Sequence, residues 1–168
     1  CYARAKLFER WDSLVIATCN EEIVAFAEAR GFPVLMTKET HTRALDRVAE
    51  AAPRMVPDID GDDIVVCVQG DEPLLGPDIL EAVILPFEKD SSVRGTMLAV
   101  PIMDEETFLS PDIVKLVHNL AGDVVYTSRS PIPFAKEGFS PSLGAKRVGG
   151  IFGFRWDFLK KFNIILIS

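Results

Sequence analysis

Two short runs of consecutive apolar, mostly β-branched residues stand out along the chain, Leu14-Val15-Ile16-Ala17-Thr18 and Ile64-Val65-Val66-Cys67-Val68. Runs of this length without alternation predict strands covered on both faces, as in a parallel sheet. Between them the period becomes helical. Glu21 to Arg30 gathers Ile23, Phe26 and Ala27 on one face, with Gly31 as a stop signal. Thr42 to Ala52 gathers Leu45, Val48, Ala49 and Ala52 on another, and Pro53 is expected to end it. Val34-Leu35-Met36 is the strand between these two helices. Past Val68 the pattern repeats: Pro77 and Asp78 open a helix to about Phe87, with Ile79, Leu80, Val83 and Ile84 as its apolar stripe.

The last part of the chain is richer in strands. Thr96 to Ile102 reads as one, Asp112 to Val117 and Val124 to Tyr126 as two more turned by Asn119 to Asp123, and Val148 to Phe154 as a glycine-bearing strand before a short helix, Trp156 to Phe162. Alternation of strand and helix predicts an α/β fold, a single domain over residues 1–168 with a mainly parallel, mixed sheet flanked by helices. Phe134 to Lys146, rich in small and polar residues, is the expected mobile surface loop. The first residues read as the middle of a helix, and Asn163 to Ser168 stops on an apolar run, so the chain is expected to be part of a longer protein.

Composition narrows the classes. With 48% apolar and 26% charged residues in 168, the chain has the make-up of an ordinary globular domain. No apolar run approaches the ~18 residues of a membrane span, and no signal peptide opens the chain. The net charge of −7 argues against non-specific binding to nucleic acid or anionic lipid, so any anion must meet a local cluster of Arg and Lys. Three cysteines, Cys1, Cys19 and Cys67, have no metal-like spacing and fit a reducing, cytoplasmic setting. Two distant histidines, His41 and His118, argue against a His-rich zinc site.

Three stretches carry potential chemistry. Val68-Gln69-Gly70-Asp71-Glu72-Pro73 follows a buried strand, and ligands of open α/β sheets bind beyond the carboxyl ends of strands. Gly70 allows close backbone approach, and a carboxylate at Asp71 suits Mg²⁺, which takes one or two carboxylates plus phosphate oxygens. The alternative is that Asp71 or Glu72 only caps the next helix or shapes a turn. Arg43 and Arg47, four apart, share a helix face near its N-terminus, where backbone N–H groups also favour anions; a solvated charged face with Asp46 is the competing reading. Arg129, entering the Pro-stiffened Ser130-Pro131-Ile132-Pro133 loop, is able to fork onto a carboxylate or phosphate, or to pair with an acidic side chain. A P-loop, an early G-x-G-x-x-G and a G-x-S-x-G elbow are all missing, and Gly149-Gly150-Ile151-Phe152-Gly153 lies within a strand pattern.

Taken together, these stretches resemble the 3-deoxy-manno-octulosonate (KDO) cytidylyltransferases, or CMP-KDO synthetases. The similarity runs in order through Val15 to Thr18, Met36-Thr37, His41 to Glu50, Val68 to Pro73, Leu98 to Ile102, Val114-Lys115, Ser128-Arg129, Ile132-Pro133, Gly153 to Arg155 and Phe158-Leu159. The resemblance implies a Rossmann-like nucleotidyltransferase fold, a cytoplasmic homodimer, and CMP transfer from CTP to a sugar acid with Mg²⁺ and release of pyrophosphate, for lipopolysaccharide or capsule precursors. It implies Asp71 as the Mg²⁺ ligand, Gln69 as a sugar contact, Arg47 beside the nucleotide, and Arg129 near the sugar, with Arg43 and Phe152 also at substrate-binding positions. Phosphoryl transfer agrees with such residues, since it needs positioning and charge neutralisation more than a strong nucleophile.

Departures from the family pattern bear on the acceptor. The family's Ser-Gly-Thr is here Arg43-Ala44-Leu45, a sugar-site His and Tyr are replaced by Val148 and Phe152, and Cys19 stands where an Asp is usual. Phe152 and Val148, four apart on one strand, share a face that either lines a sugar site or packs a core. Transfer to another sugar acid or a phosphonate, and a non-catalytic nucleotide-binding domain, therefore stay open. The family's Gly-Ser-Ser-Arg-Leu-Pro-Gly-Lys type phosphate loop and second metal-binding Asp are not in the sequence, so the chain alone is expected to be inactive.

Overall fold

The computed structural model describes residues 1–165, so Leu166 to Ser168 of the terminal apolar run lie outside the described residues. In chain order the elements are α1 (Tyr2–Ala5), β1 (Ile16–Thr18), α2 (Glu21–Glu28), β2 (Val34–Met36), α3 (Ala44–Met55), β3 (Ile64–Val68) and α4 (Pro77–Lys89). They continue as β4 (Gly95–Pro101), α5 (Glu105–Leu109), β5 (Lys115–His118), β6 (Val124–Ser128), β7 (Lys146–Arg155) and α6 (Trp156–Ile165). The fold is a mixed, Rossmann-like α/β arrangement.

Local chemistry explains most boundaries. The Asn20 side chain caps α2, accepting from the N–H groups of Glu22 (2.8 Å) and Ile23 (3.1 Å), while Gly31, at φ 66°, takes the left-handed turn that follows the helix. Helix α3 does not stop at Pro53 but runs on to Met55. A proline lacks one N–H yet has a helical φ, and here only the final turn follows it, closed by Val56 N–H on the Ala52 carbonyl at 2.9 Å. Pro86 is carried in the same way near the end of α4.

The single domain expected over residues 1–168 divides into two compact units, one built on Cys1–Thr96 and the chain from Gly150 onward, the other on Met97–Gly149. In the first unit β1 pairs with β2 in parallel, Ile16 opposite Val34 and Thr18 opposite Met36, while β3 pairs antiparallel with the end of β7, Cys67 opposite Phe152. Its core joins Phe154, Trp156 and Leu159 to Leu45, Val48, Ala49 and Ala52 of α3. Of the stripe expected on α4, Leu80, Val83 and Ile84 are buried and Ile79 is half-buried, while Phe87 joins the buried face. The antiparallel share is larger than expected, because an apolar run reveals that both faces are covered but not which way its neighbour runs.

In the second unit β5 pairs antiparallel with β6 and, through Lys115 and Leu116, with the start of β7. Its core is Ile102, Phe108 and Ala145, with Ala135, Phe139 and Leu143 packed against it. The stretch expected as a mobile loop thus supplies Ala135, Phe139, Leu143 and Ala145 to a core and contains a 3₁₀ turn, Pro141–Leu143. Its small polar residues masked four buried or half-buried anchors. Helix α5, too short to show a period, starts where Asp104 accepts from Thr107 N–H at 2.7 Å.

Leu159 is fully buried, so Leu159→Ala should lower the unfolding free energy in a urea titration by about 2–5 kcal/mol. The same change at the exposed Leu120 should leave the midpoint within error; equal effects at the two positions would show that α6 is not packed on this core.

Candidate functional site

The carboxyl end of β3 is fixed by two contacts with one glycine. Gln69 N–H donates to the Gly150 carbonyl at 2.9 Å, and Gly150 N–H donates to Glu72 Oε1 at 2.7 Å. A Cβ on Gly150 would stand 2.7 Å from Glu72 Oε1 and 3.1 Å from Gln69 Oε1, so the absence of a side chain lets both acceptors lie against the strand. The Gln69–Glu72 turn is thereby held at both ends, and Asp71 within it is exposed. Glu72, which sequence reasoning left as a cap or turn former, is the anchor of this turn. The signal was the glycine pair inside the β7 pattern.

A second group of side chains shapes the segment between β2 and α3. Arg47 donates to Thr37 Oγ1 and, at 3.3 Å, to the Lys38 carbonyl. Glu50 accepts from Lys38 N–H (3.1 Å), from His41 Nε2 (2.5 Å) and from Arg54 (3.0 Å), while Arg54 also donates to the Met36 carbonyl (2.7 Å). Because a carboxylate only accepts, the bonded His41 nitrogen carries the hydrogen. The Lys38 N–H, and after it His41, hold the Glu50 carboxyl below the usual range. Glu50 was not singled out from sequence, since its partners lie in a loop without periodic pattern.

Arg43 turns to Asp46 in a two-pronged pair (2.9 and 2.6 Å), which pulls the Asp46 carboxyl down. The two arginines expected on one face therefore have different partners: Arg47 reaches the β2 end and Arg43 pairs with Asp46 in the first turn of its own helix.

Arg47 and Gln69, with Gly70 next to Asp71, line a common cavity of about 370 Å³ whose other walls include Ala44, Val48, Val66 and Val68. A larger depression of about 600 Å³ carries Glu21, Glu22 and Glu39, the wrong sign for a triphosphate. Phe152 packs against the Phe154–Trp156–Leu159 core, the packing alternative for that position. In the second unit Arg129 donates to the Pro111 (2.9 Å) and Asp112 (3.1 Å) carbonyls. Its own carbonyl accepts from the buried Lys115 Nζ at 2.5 Å, and burial, then Arg129, lowers the Lys115 pKa.

Among the described residues, no three His, Cys, Asp or Glu gather as a metal cage. Asp71 alone fits a hard ion that completes its shell with phosphate oxygens and water. Burial pushes the Cys67 thiol up to about 11, so it is inert as a nucleophile near neutral pH.

An α/β domain that gathers anion-binding groups and a lone carboxylate beyond a strand end has the design of a nucleotide-binding domain. Comparison with known proteins identifies the kind. A family model described as cytidylyltransferase matches residues 1–168. The chain is 41% identical over 165 residues to a 3-deoxy-manno-octulosonate cytidylyltransferase of Nitratidesulfovibrio vulgaris, covering 96% of this chain and 64% of that protein. It is 35% identical over 167 residues to the enzyme of the same name from Solibacter usitatus, with 99% and 64% covered. A solved structure of CMP:2-keto-3-deoxy-manno-octonic acid synthetase complexed with CTP superposes with a TM-score of 0.83 at 26% identity, over 97% of this chain and 64% of that one. The chain belongs to the cytidylyltransferase family. It spans a little under two thirds of the length of these relatives.

The lowered Glu50 carboxyl gives stability that is present above the ordinary carboxylate pKa of about 4.3 and is lost as pH falls through the lower folded value. Glu50→Gln should therefore cost roughly 1 kcal/mol at neutral pH, and the gap from the parent should close in acid. A gap that stays constant with pH in chemical denaturation would remove this role for Glu50.

Proposed function

We propose that this chain forms the nucleotide-binding part of an enzyme that transfers CMP from CTP to KDO, releasing pyrophosphate, in the making of lipopolysaccharide or capsule precursors. The observation that carries the reading is that Arg47 and the Gln69–Gly70 end of β3, far apart in sequence, line one cavity, with Asp71 next to Gly70. The names of the relatives support the choice of CTP and KDO.

In this reading the anomeric hydroxyl oxygen of the sugar acid bonds to the α-phosphorus as the bond to pyrophosphate breaks. Arg47, steadied by Thr37 and Lys38, keeps further N–H donors for phosphate oxygens, and its fixed guanidinium meets the developing charge without reorganising. Gln69 offers an amide to sugar hydroxyls from a turn that Glu72 and Gly150 hold rigid. Arg129, in the second unit, keeps N–H donors of the kind that suit a carboxylate. Asp71 is the residue that would hold Mg²⁺, and the bound ion supplies charge neutralisation at the phosphates. Arg43, engaged with Asp46, reaches substrate only by leaving that pair, and Phe152 serves packing. The resemblance further proposes a cytoplasmic homodimer; among the described residues no helix is long and apolar enough to cross a membrane.

Asp71→Asn in the protein expressed from its complete reading frame should lower Mg²⁺-dependent pyrophosphate release from CTP and KDO by at least about 100-fold, with unchanged circular dichroism. Near-normal turnover would sink the assignment of Asp71. A panel of other sugar acids and phosphonates in the same assay reads acceptor choice, and preference for one of them over KDO would overturn the proposed substrate.

A further inference from the structure

One buried ionisable group of the second unit has no place in the proposed reaction. Lys115 is fully buried, a rare state for a lysine that no carboxylate pairs with among the described residues. Its Nζ donates instead to three carbonyls, those of Ser110 (2.7 Å), Ile113 (2.9 Å) and Arg129 (2.5 Å). All three ammonium hydrogens are thereby used.

Topology brings Arg129 to the same place. Lys115 opens β5 opposite Ser128, the last residue of β6, and Arg129 follows directly. The Arg129 Nη1 donates to the carbonyls of Pro111 (2.9 Å) and Asp112 (3.1 Å). Four successive carbonyls, from Ser110 to Ile113, are therefore turned to two cations, the outer pair to Lys115 and the inner pair to Arg129. One ammonium thus fixes both the backbone from which the Arg129 side chain springs and the turn that supports its guanidinium.

What this leaves free is specific. Arg129 is exposed, and among the described residues its Nε–H and Nη2 hydrogens have no partner. Nε–H and one Nη2–H run parallel, the edge that meets both oxygens of a carboxylate. Carbonyls solvate the two cations without neutralising them, so that edge stays positive. We propose that Lys115 is a positioning residue, which fixes the root and the support of Arg129 so that this one edge receives the carboxylate of an acid substrate. The inference rests on the proposed activity, in which a sugar acid is the acceptor.

The test uses the protein expressed from its complete reading frame, with KM for KDO and for CTP measured separately. Lys115→Met and Arg129→Gln should each raise KM for KDO by at least about tenfold and leave KM for CTP within about twofold. A merely structural loss would lower the active fraction, and so kcat, without this split. The double variant should be no worse than Arg129→Gln alone, because Lys115 acts through Arg129. In NMR of the unaltered protein, KDO without CTP should shift both the Arg129 Nε–H and the Lys115 ammonium signals. This titration also decides the matter if Lys115→Met does not fold. The role of Lys115 is overturned, with the reading of Arg129 intact, if only Arg129→Gln raises KM for KDO, if the two losses add, or if KDO shifts Arg129 alone. If KDO shifts neither signal and neither variant changes its KM, or if CTP shifts them instead, Arg129 takes no acceptor carboxylate and the proposal falls with that reading.

Discussion

Everything about the site depends on how the backbone of β3 ends. Gly150, having no side chain, lets Gln69 and Glu72 lie against β7, and the paired bonds from Gln69 N–H and to Glu72 Oε1 fix both ends of the turn that carries Asp71. A carboxylate on a turn so tied has little freedom to lose when it meets a ligand, which is where preorganisation gives its advantage. The same logic holds across the cavity: Arg47 is held by Thr37 and Lys38, and the loop that supplies them is clamped to α3 through Glu50. Charge of both signs is thus positioned by backbone geometry.

How much of this was legible in the sequence varies with the physics. The order of strands and helices was readable because apolar spacing reports burial directly, as at Leu80, Val83 and Ile84 of α4. Strand direction was not, since Ile64 to Val68 would look the same against a parallel or an antiparallel neighbour. Pro53 misled because a proline costs one N–H bond and crowds the carbonyl four residues before it, yet its fixed φ is helical and the chain carries it through a final turn. The stretch from Phe134 to Lys146 misled because Phe139 and Leu143, isolated among polar residues, give no period even though they anchor a core.

Among the candidate residues, Asp71, Gln69 and Arg47 are proposed from their positions beyond a strand end and at a helix start. Glu72 and Glu50 were missed as anchors because their roles depend on partners 78 and 12 residues away, Gly150 and Lys38. Arg43 and Phe152, which the resemblance places at substrate-binding positions, have partners that no motif shows: Arg43 pairs with Asp46 and Phe152 packs against the Phe154–Trp156–Leu159 core.

The central claim is that nucleotide and metal meet at the β3 end, between Asp71 and Arg47. The most direct measurement is paramagnetic broadening of the protein's NMR signals by Mn²⁺ in the presence of CTP, using the protein expressed from its complete reading frame. The account predicts CTP-dependent broadening centred on the Gly70 and Asp71 amides and extending to Arg47, with the signals of Glu21, Glu22 and Glu39 little affected. Broadening centred on those three glutamates, or independent of CTP, would contradict it.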